Sequence, residues 1–496
     1  LLAGRGLVTD ALWSFGTAPL VVPREAFEVW LPLPTLVAAV PMALFGATFA
    51  AAQVSSVLIG ALVPVLAWRL GADVAVEQRL PPGRARTLAV GTGLTAAVSL
   101  PLLLHSTLPD STMLFGGLTL ATALLITRIR TRISAAGRPR PMALLAGLGV
   151  VLGLAALTRN EALWLAATWA VLAWRTPVPT RDRLALIAIP GLVALAVFAP
   201  WMVRDSLAFG SPLPGQALTN ALSVQGTDIF AWTEPVSIGR YLAVGPARLL
   251  EMRAAGIEHN LFDVLLVPGA PLSIIGLVGL PWAARIRALR PLLLVSLVIF
   301  LVTSLLFPIS TTWGTFLHAA GAIHVVLIIS ALLGLDRLIA AIGRRRSWTR
   351  PVAWLAPALT VSGALLFSVA LLPAFGNGSA GTERQLRDLS ARIDVAGFSS
   401  AEGPLITDAP IWLPYVRGGT ALAVPYESPS SVLDLARRFH APGVVLLNGS
   451  AHPFSTALRT TADPAAGCFD DVTPPATAQL RGDDADAVRI YRIVCP

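Results

Sequence analysis

The sequence predicts an α-helical polytopic membrane protein carrying about ten transmembrane helices and a small C-terminal α/β domain. Three observations lead there. The chain of 496 residues is 55% hydrophobic and only 13% charged, with a mean hydropathy of +0.71, whereas a soluble domain carries about 25% charged residues. Apolar stretches near the roughly 20 residues of a spanning helix recur along most of its length. After about residue 374 the pattern changes to short β-like runs alternating with amphipathic helical ones.

The apolar segments run near 47–70, 86–105, 110–128, 141–158, 160–174, 184–203, 271–285, 290–309, 314–336 and 351–373. Two of them, 160–174 and 271–285, are short for a crossing. Arginine sets the orientation, because basic connections stay in the cytoplasm. Arg69, Arg79, Arg84 and Arg86 fall in one connection, and Arg128, Arg130, Arg132, Arg138 and Arg140 in another. Arg175, Arg181 and Arg183, then Arg285, Arg287 and Arg290, then Arg337, Arg344, Arg345, Arg346 and Arg350 continue the series at every second connection. The connections between them ("HSTLPDS", "TRNE", "PISTTW") carry almost no arginine. The expected domains are therefore a first extracytoplasmic loop over 1–46, a transmembrane domain over 47–373 that includes an outer loop at 204–270, and an extracytoplasmic α/β domain over 374–496. The expected location is a bacterial cytoplasmic membrane.

Within the last domain, "PLITDAP", "ALAVPYE", "GVVLLNG" and "AVRIYRIV" read as strands, and "TERQLRDLSARI" and "SSVLDLARRF" as helices. Cys468 and Cys495 are the only cysteines. In an oxidising compartment a disulfide is the natural reading, the alternative being two unrelated thiols, and without a histidine pair nearby they form no zinc site. The formal charge of +9 comes with no lysine at all and no basic stripe interleaved with aromatics, so nucleic-acid binding is not indicated.

Three places put charge where the pattern calls for apolar or neutral residues. "ALTRNEALWL" holds Arg159 and Glu161 in a tight turn on the side where arginine is scarce. Snorkelling of Arg159 and a helix-starting role for Glu161 are the ordinary accounts, but ionisable groups at membrane depth are candidates for function. "APWMVRDSLAFGSPLPGQ" ends the sixth span with Arg204 and Asp205, which a local ion pair beside an interfacial tryptophan also explains. Asp110 in "STLPDSTMLF" is at the start of the third span, where an acid commonly caps a helix. Taken together they set two arginines and an acid at one rim, and arginine's planar fork suits phosphate oxygens.

"PWMVRDSLAFGSPLP" resembles the Pro-Trp-x-x-Arg-Asn-x-x-x-Phe-Gly-x-Pro signature of the GT-C-fold membrane glycosyltransferases, the group that includes protein mannosyltransferases and aminoarabinose transferases. "GLAALTRNEALWL" resembles their Leu-Thr-Arg/Lys turn, and "LLAGRGLVTDALW" with "FEVWLPLPTLVAAVPMALFG" is similar to their first outer loop, with its juxtamembrane helices ending in Phe-Gly. The likeness covers nearly the whole chain in order through loose motifs, and Asp205 stands where the signature has Asn. It implies transfer of a sugar from a polyprenyl-phosphate carrier to an acceptor at the outer face, the acceptor being a protein, a lipid or a polysaccharide. By the same likeness Arg159 and Arg204 are lipid-phosphate ligands, with His318 a further candidate near the start of the ninth span. Asp110 matches an acid of the second outer loop. Glu28 in "FEVWLPL" resembles a glutamate that helps hold a divalent metal in some members, although a solvated loop acid reads equally well. His318 also reads as a packing histidine, as does His324. The family's principal acid precedes the glycines that stand here as Gly4 and Gly6, so the resemblance puts that acid, with a first helix, upstream of Leu1; Asp10 follows the glycines and does not take the role. A transporter or flippase for lipid-linked sugars, or a polymerase or ligase of such glycans, is the alternative reading. The absence of an internal repeat speaks against the first, and the folded C-terminal domain against the second.

Overall fold

The structure is a computed structural model and describes residues 2, 4–12, 22–136, 141–215, 217–348, 352–460, 463–475 and 487–495. The chain is an α-helical polytopic membrane protein with a small C-terminal sheet region. It forms two compact units: one gathers the described residues of 1–4, 30–214 and 250–372, the other those of 5–29, 215–249 and 373–496.

In chain order, strands β1 (Val8–Thr9) and β2 (Arg24–Glu25) pair antiparallel. Helices α1 (Leu33–Phe45), α2 (Phe49–Glu77), α3 (Pro82–Val98), α4 (Leu100–Ser106), α5 (Thr112–Ala136), α6 (Met142–Ala156), α7 (Ala162–Trp174) and α8 (Thr180–Phe209) follow. Next come α9 (Ala217–Leu222), α10 (Ile238–Ala243), α11 (Gly245–Glu258), α12 (Leu272–Ala283), α13 (Arg290–Leu305), α14 (Thr315–Ala319), α15 (Gly321–Arg345) and α16 (Leu355–Val395). Every apolar segment of the sequence is helical. Five helices (α2, α5, α8, α15 and α16) are long and apolar enough to cross a bilayer, and α3 with α4 makes a sixth candidate bent by 58°. The remaining four expected spans, α6, α7, α12 and α13, have 15, 13, 12 and 16 residues. Shortness is thus not confined to the two segments singled out in the sequence; each of the four is under the roughly 20 residues of a full crossing.

Small residues set the helix spacing. A Cβ on Gly276 of α12 would meet Leu327 O of α15 at 2.4 Å, and one on Gly279 would meet Ser330 O at 2.5 Å. The Ser330 hydroxyl donates to Gly276 O at 2.6 Å. Without a hydrophobic force between helices in lipid, such close backbone approach and interhelical hydrogen bonding replace it. Gly149 and Gly153 do the same for α6 against Val193 and Val197 of α8.

The second unit contains the expected α/β domain. Strands β3 (Leu405–Thr407), β4 (Ala421–Ala423) and β5 (Gly443–Leu446) are parallel, and β6 (Phe469–Asp471) and β7 (Arg489–Ile493) add antiparallel, in the order β4-β3-β5-β7-β6. Helices α17 (Trp412–Arg417), α18 (Pro429–Phe439) and α19 (Pro453–Thr460) connect them. Side chains alternate across the sheet: Ile406, Val444 and Leu446 join a core with α18, while Leu405 and Val445 join another with Leu389 and Ile393 of α16. Leu12, Ile229 and Phe230 extend the first of these cores, so residues from the N-terminal stretch and from 215–249 pack within the same unit as the sheet. Cys468 and Cys495 form a disulfide, Cα–Cα 5.0 Å. Strand β6 was not legible in the sequence; its Phe-Asp-Asp has one apolar residue.

Candidate functional site

The site is built where three turns of the first unit meet. The first begins at a break. Leu100 and Pro101 open α4 directly after α3 ends at Val98. Proline lacks an N–H and clashes with the preceding turn, which bends a helix at this point. The freed carbonyl of Val98 accepts from the Ser368 hydroxyl at 2.6 Å. The tilted α4 carries His105 on its last turn, buried at 9% exposure. Pro109 and Asp110 then turn the chain into α5. Asp110 does two jobs: Oδ1 accepts from the Thr112 backbone N–H at 2.8 Å, as a helix-start acid does, while Oδ2 lies 2.7 Å from His105 Nδ1.

The second turn delivers His318. Gly314 has φ +101°, a conformation that side chains rarely adopt, and it starts the short α14 in which the His318 N–H donates to Gly314 O. A Cβ on Gly314 would meet the His318 ring at 3.3 Å. Where α15 begins, Gly321 lies against α5: a Cβ there would meet Thr112 O at 3.2 Å, and one on Gly116 would meet Gly321 Cα at 3.5 Å. This crossing of small residues brings His318 Nδ1 to 2.8 Å from Thr112 Oγ1 and 3.5 Å from Asp110 Oδ2. The turn before Gly314 is anchored in the interior. Thr311 donates to Asn260 Oδ1 at 2.7 Å, and Asn260, fully buried, donates to Thr303 and Ser304. Asn260 belongs to a π-helical stretch, His259–Leu266, a form common near functional sites.

Arg159 in the third turn ties all three together. Nε and Nη2 donate to the two oxygens of Glu161 at 3.1 and 2.8 Å, Nη1 donates to Ser111 Oγ at 2.9 Å, and Nη2 donates to Thr315 O at 3.0 Å. Both members of this pair are buried, at 11% and 8% side-chain exposure. Glu161 is therefore more than the first residue of a helix: it holds the guanidinium in a bidentate grip.

The electrostatics converge on Asp110. Burial pushes its carboxyl up, but hydrogen bonds to His105 and His318, and their charge, outweigh burial and hold it below the usual carboxylate range. A crevice beside it is lined by Ser55, Ser56, Pro109, Met113 and Leu114.

Of the residues singled out in the sequence, Asp110 and His318 come together directly, and Arg159 reaches their turns through Ser111 and Thr315. Arg204 is on the last turns of α8, paired with Asp205 at 3.1 Å and set against the rings of Trp201 and Phe209 at 5.0 and 5.1 Å. Glu28 belongs to the second unit and is paired with Arg24 at 2.9 Å. Asp10 pairs with Arg5 in the same unit. His324 is buried in α15. The residue that sequence reasoning missed is His105. Its only signal is a histidine closing an apolar run five residues before the acid, a pattern that equally describes a core histidine.

No protein-family description matches the chain, and no curated protein matches it. Solved structures do. ArnT from Cupriavidus metallidurans, bound to undecaprenyl phosphate, superposes with a TM-score of 0.52 at 15% identity, over 94% of this chain and 88% of that one. The oligosaccharyltransferase of Archaeoglobus fulgidus in complex with zinc and sulfate gives 0.51 at 14% identity, over 90% of this chain and 63% of that one. The same archaeal protein tethered to an acceptor peptide containing the NVT sequon gives 0.52 at 13% identity, over 94% and 66%. This chain thus spans about two thirds of the archaeal protein and most of ArnT. These are GT-C-fold glycosyltransferases, and the fold of this chain is the GT-C fold.

Proposed function

We propose that this GT-C-fold chain is a glycosyltransferase that moves a sugar from a polyprenyl-phosphate carrier to an acceptor at the outer face of the membrane. The observation that carries the reading is the convergence of Asp110, His105, His318 and Arg159 on one rim of the helical unit. The arginine distribution supports reading that rim as the outer one, since the connections at the other ends of the helices are the basic ones. That ArnT was solved with undecaprenyl phosphate supports the choice of donor.

The chemistry asked of the site is a displacement. The acceptor oxygen forms a bond to the anomeric carbon, the bond from that carbon to the phosphate oxygen breaks, and the acceptor's proton leaves to a base. Negative charge grows on the departing phosphate, so fixed donors and cations aimed at it lower the barrier. His318 and Arg159 are the donors assigned to this task, with Arg204 as a further phosphate ligand. Arg159 keeps one Nη1 N–H beyond its four protein bonds, and Glu161 fixes the direction in which it points. Asp110, kept ionised by its hydrogen bonds to the two imidazoles, is the secondary acid of the site and orients them.

The test uses the full chain in detergent with polyprenyl phosphate and with a polyprenyl-phosphate sugar. Polyprenyl phosphate is expected to bind, and His318→Gln and Arg204→Ala are each expected to weaken binding about tenfold, the loss of one charge-assisted contact. Consumption of the sugar donor without a membrane gradient marks transfer rather than transport. Absence of polyprenyl-phosphate binding, or equal binding by both variants, would overturn the assignment.

A further inference from the structure

We propose that His105, Asp110 and His318 form a binding site for a divalent transition metal of the zinc and cobalt class. Among the described residues this is the one group of three or more such side chains whose ligand atoms all lie within 4.8 Å of one another. The donors are two imidazole nitrogens and one carboxylate oxygen, a set that suits zinc or cobalt, whereas magnesium and calcium take oxygen shells.

The geometry favours a metal in several ways. Both imidazoles present Nδ1 to the same carboxylate oxygen, at 2.7 and 3.5 Å. Two tetrahedral ligands at zinc distances stand about 3.3 Å apart, so the His318 separation nearly matches at 3.5 Å, and His105, at 2.7 Å, needs to open by about 0.6 Å. The carboxylate is oriented for the purpose: its other oxygen is held by the Thr112 N–H at 2.8 Å, the kind of outer support that metal ligands receive. The ligands come from separate elements, α4, the turn before α5, and α14, each fixed by a device already described: the Pro101 break, the capping bond and Gly314. Three protein ligands leave one position open, the pattern of a catalytic rather than a structural site. His318 is 31% exposed, which gives that position access to solvent. On the glycosyl-transfer reading, and resting on it, a metal held by these three residues would supply positive charge for the donor's phosphate oxygens.

Direct metal binding decides the matter without any assay of activity. The full chain in detergent, stripped with chelator and dialysed against zinc, is expected to retain one equivalent by elemental analysis. Cobalt in place of zinc is expected to give the visible absorption of a four- or five-coordinate ion. His318→Gln and Asp110→Asn preserve shape and are expected to weaken cobalt binding at least tenfold, while His259→Gln, outside the set, leaves it unchanged. A wild-type chain that takes up no cobalt, or a folded His318→Gln chain that binds as well as wild type, would show that the three groups share only protons. A wild-type chain that takes up no metal but still binds polyprenyl phosphate sinks this proposal alone. Metal binding without donor binding sinks the functional reading and leaves the metal site standing.

Discussion

Arg159 and Glu161 show how a charge survives in an apolar chain. Taking either ion out of water costs several kcal/mol, and their attraction repays this only when the remaining donors are also satisfied. Here four of the five guanidinium N–H groups are: two bond to Glu161 and one each to Ser111 and Thr315. Glu161→Ala removes the counter-charge and leaves a buried cation, so it is expected to lower stability by about 3–5 kcal/mol. Replacing both partners, Arg159→Met with Glu161→Leu, is expected to cost less than the sum of the single changes. Thermal unfolding of the four proteins in detergent gives the cycle, and additive effects would mean that the pair is not a unit. The sequence marked Arg159 because it stood against the arginine pattern. Nothing marked His105 in the same way: an imidazole among leucines acquires meaning only when α14 brings a second imidazole to the same carboxylate. Side chains that act together from distant turns cannot be read from spacing along one turn.

At the scale of elements, hydropathy located the helices of the ten apolar segments, because each apolar run must form its own backbone hydrogen bonds wherever it meets lipid. The α3–α4 break was less legible, since a proline inside an apolar segment is tolerated in membrane helices. Helix pairing was not legible at all: glycines recur throughout, and which of them face a neighbour depends on the packing. The structure separates them. Gly276 meets the α15 backbone at a distance no Cβ tolerates, whereas a Cβ on Gly147 of α6 meets nothing within 4 Å. Gly276→Val is therefore expected to force α12 from α15 and to destabilise by about 1–3 kcal/mol, with Gly276→Ala lying in the same direction. Gly147→Ala is expected to be neutral or to stabilise by up to about 1 kcal/mol, since alanine is the better helix former. Melting temperatures of the variants in one detergent rank these effects, and a Gly276→Val protein as stable as wild type would show that the two helices are not in register as described.

At the scale of the whole chain, each compact unit is assembled from separated stretches, and this is where sequence order informs least. Strands β3, β4, β5 and β7 announced themselves by their apolar runs, but nothing in the residues around 230 told that they pack with a domain formed some two hundred residues later. Besides the apolar packing of Ile229 and Phe230, a polar contact joins them. The Glu427 carboxylate accepts from the backbone N–H groups of Trp232, Thr233 and Glu234 at 2.6, 2.9 and 3.1 Å and from the Thr233 hydroxyl at 2.5 Å. Burial raises its pKa, but the Thr233 hydroxyl and these backbone groups outweigh burial and hold it below its ordinary value of 4.5. A carboxylate whose pKa is depressed on folding contributes stability that is complete above the unfolded value and is lost as pH falls through the folded one. Acidification from neutral to about pH 5 should therefore leave the 231–234 segment in place, and release should begin below about pH 4.5. Glu427→Gln is expected to mimic the acid state at pH 7. Hydrogen exchange at Trp232, Thr233 and Glu234, corrected for the intrinsic dependence of exchange on pH, should then speed up about 10- to 100-fold, which corresponds to about 1.5–3 kcal/mol for charge-assisted bonds. Exchange at the β3 and β5 amides, which the sheet protects independently, serves as the reference. Equal protection at residues 232–234 in wild type and Glu427→Gln would mean that apolar packing of Ile229 and Phe230, rather than this carboxylate, holds the segment to the domain.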